Sequence, residues 1–146
     1  MSKARSRARR LAMQGLYEWQ MSDNVPLDIL NNYKQEHDLN NVDIEYFQTL
    51  LLGVPDHLQE LDQSVSPFLS RPLKEVDPIE LAILRLAAYE LIHCLDVPYR
   101  VVINEAVELA KTFGAEAGHK FVNGILDKLA ASIRPAEIKK RNKQKP

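Results

Sequence analysis

The chain has 146 residues, 45% hydrophobic and 27% charged, with five glycines and the single cysteine Cys94. That length suits one domain or two tightly packed subdomains whose core needs no metal, and one cysteine excludes an internal disulfide. No apolar run long enough for a membrane span or a secretory signal appears, so a cytoplasmic protein is expected. The formal net charge of −1 hides a partition: residues 1–10 and 134–146 each carry a net +5, and the body between them carries −11. Such asymmetry, an acidic body with two basic ends, matters more for partner choice than the sum does.

From Ala8 the apolar positions Leu11, Ala12, Gly15, Leu16 and Trp19 trace an amphipathic stripe, which predicts a first helix to about Met21. Pro26 suits the first turn of a short helix carrying Leu27, Leu30 and Tyr33. Asn40 and Asn41 break the pattern before Asp43 caps a further helix with Tyr46, Leu50, Val54, Leu58, Leu61 and Val65 on one face. Pro55 should kink that helix or split it. Asp77-Pro78-Ile79-Glu80 places an N-cap acid, a proline at the first helical position and a glutamate two residues on. The helix it opens, about 78–94, is apolar nearly all round and is expected in the middle of the bundle, with Arg85 and Glu90 as costly exceptions. Val102, Ile103, Ala106, Val107, Ala110 and Phe113 form another stripe, which Gly114 could close in a left-handed conformation. A last long helix carries Phe121, Val122, Ile125, Leu126, Leu129, Ala130 and Ile133. Pro135 should stop it before a flexible basic tail at 135–146. The expected fold is all-α, with six or seven helices, and residues 1–134 form one domain.

Catalysis finds little support. His37, His57, His93 and His119 lack metal-ligand spacing, and Glu105-x-x-Glu108 has no Glu-x-x-His partner motif. Neighbouring His93 projects about 100° away from Cys94, and the glycines form neither a P-loop nor a dinucleotide fingerprint. No enzyme, no metal and no cofactor are therefore expected.

The basic run Arg5, Arg7, Arg9 and Arg10 has two readings. It could be a solubilising tail, or guanidinium groups held at a helix start for an anionic partner. Attachment to the stripe through Ala8, Leu11 and Ala12 favours the second, since cations at a helix N-terminus oppose its dipole by roughly 0.3–1 kcal/mol each. The C-terminal IKKRNKQKP reads as a solvated tail with non-specific phosphate attraction. Phe121 is either core or a stacking face flanked by Lys120 and Asn123. Asn123 and Gly124 are poor mid-helix residues and call for a close helix approach or a polar contact.

The segments ARRLAMQGLYEWQ at 8–20, DVPYRVVINEAVELAKTFG at 96–114 and HKFVNGILDKLA at 119–130 occur in order, and through them the chain resembles the NusB family over about 5–134. The resemblance implies two packed helical bundles and a transcription antitermination role. It implies binding of the boxA element of ribosomal RNA leaders together with the ribosomal protein NusE, in a complex that helps RNA polymerase ignore terminators. It places RNA at Arg5, Arg7, Arg9 and Arg10 and beside Phe121, and the partner protein at Tyr17, Glu75 and Glu80. Lys74, and Ala117-Gly118 in place of a more polar pair, depart from relatives and imply a different partner affinity. Two alternatives stand beside this one. NusB-like domains also precede the catalytic part of some ribosomal RNA cytosine methyltransferases, and some family members form homodimers that could hide the RNA surface.

Overall fold

The computed structural model describes residues 2–144. It is all-helical as expected, but with eight helices rather than six or seven: α1 (Lys3–Met21), α2 (Pro26–Glu36), α3 (Ile44–Asp56), α4 (Leu58–Val65), α5 (Pro78–His93), α6 (Tyr99–Phe113), α7 (Gly118–Ile133) and α8 (Pro135–Gln144). Short 3-10 turns at Ser66–Phe68 and Leu73–Glu75 link α4 to α5.

Local chemistry explains most boundaries. Asp43 accepts the amide of Tyr46, and Asp77 accepts those of Ile79 and Glu80, so both expected caps form. Pro55 occupies the last turn of α3, and α4 starts afresh after His57. Three expectations are corrected. The first helix begins five residues before Ala8, because the Ser2 side chain accepts the amide of Arg5 and caps it. Gly114 is extended (φ −84°, ψ 175°), and the left-handed residue is Ala117 (φ 65°), immediately before α7. The segment after Pro135 is not an unpacked tail: proline sits at the start of α8, where its missing N–H removes no helical bond, and Ile138 packs against the core.

Helix α5 is the hub and contacts α1, α3, α4, α6 and α7. Its apolar circumference has this cause, since eleven of its residues are buried. Close packing against α3 is permitted by Gly53, where an added Cβ would stand 2.5 Å from the Tyr89 ring. The two charged exceptions on α5 each have a partner. Arg85 donates to both Asp62 carboxylate oxygens at 2.9 and 3.0 Å and to Gln20 at 3.0 Å. Glu90 is paired with α1, which decides how the basic N-terminus is presented.

Candidate nucleic-acid interface

The helical period splits the basic run of α1 between two faces. Arg9 falls on the inner face between Ala8 and Ala12 and is only 2% exposed. Its Nε donates to the Glu90 carboxylate at 2.9 and 3.1 Å, Nη2 donates to Glu90 Oε2 at 2.9 Å, and Nη1 reaches Glu105 Oε1 at 3.3 Å. The Tyr46 hydroxyl donates to the same Glu90 oxygen at 2.5 Å. Burial first, and then the Glu90 charge, push the Tyr46 phenol far above its ordinary value, so it stays a neutral donor. Arg9 is therefore a core residue and not an available RNA contact.

Arg5 shares the inner side but lies at its rim. Its guanidinium stands 4.3 Å above the Tyr46 ring and near Asp43 (3.6 Å) and Asp96 (3.9 Å). On the opposite flank Lys3, Arg7 and Arg10 line a groove of about 360 Å³ against Glu105, Glu108 and Leu109 of α6. All three cations are exposed. Arg7 donates to the Asn41 carbonyl at 3.2 Å, and Arg10 lies 5.4 Å from the Phe113 ring centroid. Ser6 donates to Glu105, so Glu105 ties the helix down beside the groove. Four arginines read as one cluster are thus two outward-facing, one at the rim and one internal.

Beyond Phe113, residues 114–117 lead into α7, whose first turns carry the other expected RNA residues. Lys120 and Asn123 are exposed, whereas Phe121 is half-buried and packs against the core on one side. The guanidinium of Arg71, which sequence reasoning passed over, stands 5.4 Å from the Phe121 ring centroid. Part of the ring thus packs inward, as the core reading expects, and Arg71 stands beside the part that remains accessible. No close helix approach accounts for Gly124, since a Cβ there would meet nothing within 4 Å.

Of the expected partner residues, Tyr17 is 37% exposed and shares a groove of about 460 Å³ with Met21, Tyr33, Ile79 and Phe113. Glu75 is exposed in the second 3-10 turn. Glu80 departs from expectation: it is 4% exposed, and its carboxylate lies against Gly118, where a Cβ would stand 2.5 Å from Oε2. It fixes the start of α7 from inside and offers no surface to a partner. Burial above all, and then Asp77, raise its pKa, against the Ala115 amide and Arg71. The folded state thus holds this proton more tightly than the unfolded chain, so stability is lost as pH rises from the ordinary carboxylate range through the raised value. Glu80→Gln is expected to raise the melting temperature at pH 7, with the difference from wild type vanishing in acid below that window. Thermal melts across pH check this, and a less stable Gln variant at neutral pH would reject it.

Burial also raises the Cys94 thiol, which leaves it protonated and unreactive. No helix among the described residues is long and apolar enough to cross a membrane.

Comparison with known proteins places these features in a family. Residues 6–131 match the NusB family. The chain is 55% identical to the transcription antitermination protein NusB of Idiomarina loihiensis over 90% of its own length and 95% of that protein. It is 58% identical to the protein of the same name from Shewanella halifaxensis, over 89% and 96%. Among solved structures it resembles T. maritima NusB with a TM-score of 0.81 at 29% identity, covering 95% of this chain and 99% of that one. A second similar structure, of antitermination factors NusB and NusE in complex with double-stranded RNA, gives a TM-score of 0.83 at 28% identity over 90% and 99%.

Proposed function

The chain belongs to the NusB family, and from that premise we propose that it is a transcription antitermination factor that binds boxA RNA together with NusE. Its role is regulatory binding, not catalysis. The observation that carries this reading is the groove between α1 and α6, where Lys3, Arg7 and Arg10 stand exposed on a helix held from behind by the Arg9–Glu90 pair. Cations on a packed helix need little further ordering when they meet phosphate, so they bind more favourably than the same cations on a loose terminus. Lys120, Phe121 and Asn123 at the start of α7 then supply base contacts, with stacking on the Phe121 ring and polar groups on either side. Arg5 acts from the rim, partly neutralised by Asp43 and Asp96.

The rest of the electrostatics agrees. A body of net −11 repels RNA away from the basic end and leaves negative surface, with Glu18 lining the Tyr17 groove and Glu75 exposed, for a basic ribosomal protein. Activity within the RNA polymerase antitermination complex places the protein in the cytoplasm.

The test is titration of labelled boxA RNA with the Lys3→Ala, Arg7→Ala, Arg10→Ala triple variant, alone and with NusE. Affinity is expected to fall at least tenfold while the circular dichroism spectrum stays helical, since none of the three side chains is buried. Wild type should show log K falling with log salt at a slope of about −2 for roughly three neutralised phosphates, and the variant should lose most of that slope. Equal affinity of variant and wild type refutes the reading.

A further inference from the structure

We infer that α8 is a second phosphate-binding surface, which takes the RNA backbone where a strand leaves the groove between α1 and α6; this rests on the RNA-binding reading of that groove. Helix α8 lies beyond residues 6–131, the part of the chain that matches the family. Lys139, Lys140, Arg141 and Lys143 follow Glu137 with no further acid. Lys139, Lys140 and Lys143 are exposed. A favourable interaction with the helix dipole accounts for Arg141 and Lys143 in the last turn, but not for the two lysines before them.

Anchoring distinguishes this helix from a solubilising tail. The Glu137 carboxylate accepts the Tyr99 amide at 2.8 Å and the Arg134 guanidinium at 3.0 Å, while Ile138 packs against the core. Both acceptor oxygens of the one local acid are thereby turned inward, and its charge is matched by Arg134. The cations are left on a fixed scaffold, as those of α1 are.

Position supplies the rest. Helices α1 and α6 run in the same direction on the two sides of the groove, since Ser6 and Arg9 reach Glu105 whereas Arg10 lies near Phe113. The end of the groove nearest Lys3 therefore opens beside the start of α6. That start is where α8 is tied, through Tyr99, and where Arg5 approaches Asp96 in the preceding loop. Arg100 is exposed on the same first turn of α6. On this proposal a single strand seated against Arg10, Arg7 and Lys3 continues past Arg100 onto α8, where Lys139 and Lys143 line a groove with Ala131 of α7.

The experiment compares two RNAs: a short boxA oligonucleotide confined to the groove, and the same RNA lengthened at both ends by uridine tracts. The protein variant is Lys139→Gln, Lys140→Gln, Lys143→Gln, which removes charge at little cost in helix propensity. Expected are unchanged affinity for the short RNA, roughly tenfold weaker binding of the long RNA at low salt, and a salt slope for the long RNA shallower by about 2. Equal long-RNA affinity and slope in variant and wild type overturn the α8 surface while leaving the groove standing. Equal losses on both RNAs also overturn it, since α8 would then act on the groove itself. Failure of wild type to bind either RNA overturns the groove reading and this inference together.

Discussion

Arg9→Ala is expected to destabilise the protein by about 3–5 kcal/mol, the range for breaking a buried ion pair by removing one partner. The loss is large because Glu90, 1% exposed, stays behind with its charge and only the Tyr46 hydroxyl as a strong donor, in a region that water does not reach. Chemical denaturation gives the number directly. A loss under about 1 kcal/mol would mean that the pair is not formed as described. Replacing both charges with apolar residues of similar size, Arg9→Met with Glu90→Leu, should recover much of the stability, because the uncompensated charge is then absent. The contrast with Lys3, Arg7 and Arg10 is the sharper part of the prediction. Arg9→Ala should appear first as a stability defect, and their replacement should appear as an RNA-affinity defect in a protein that melts normally.

A comparable loss, again about 3–5 kcal/mol, is expected for Arg134→Ala. Arg134 stands between α7 and α8, 5% exposed, and its guanidinium donates to four carbonyls: Glu90, Leu91 and Cys94 at 3.0 Å and Val97 at 2.5 Å. Those carbonyls close α5 and the loop into α6, where the last turn of a helix leaves acceptors without partners inside their own helix. A cation there also meets the negative end of the α5 dipole. One planar group reaches all four; the Glu90 carbonyl also accepts the Cys94 amide and the Cys94 carbonyl the Val97 amide, so those of Leu91 and Val97 depend on Arg134 most. Arg134→Lys should rescue little, because a single ammonium on a flexible stem cannot span four diverging acceptors. Melting curves for the three proteins decide this. Near-normal stability of the lysine variant would show that charge alone suffices.

These two arginines also mark where sequence reading stopped. Periodicity found the main stripes, the acids of Asp43 and Asp77 found the helix starts, and the apolar circumference of 78–94 correctly placed α5 in the centre. Charge clusters are harder to read, because neighbours in sequence are scattered by the helical turn. Arg5, Arg7, Arg9 and Arg10 form one run on paper and occupy three environments in the fold. A signal for Arg9 did exist: it sits between the buried Ala8 and Ala12, and Glu90 is an acid in an otherwise apolar helix, so two isolated charges needed each other. Arg134 gave no such sign, since its partners are backbone carbonyls about forty residues away, and counting it with the basic tail followed naturally. Pro135 does end α7, and it also opens α8, which the polar composition of 135–146 does not disclose. Glu80 looked like a capping acid on the surface, and only the close approach of Gly118 reveals why it is inside.

The Arg9–Glu90–Glu105 connection has a consequence for the order in which the molecule becomes competent during translation. The arginine-rich opening emerges from the ribosome well ahead of the two glutamates that fasten it, which are encoded 81 and 96 residues later. A nascent chain consequently carries its cations long before it can arrange them. Only when α6 has been synthesised and has docked do they acquire a fixed geometry, so the groove between α1 and α6 is one of the last features of the chain to form.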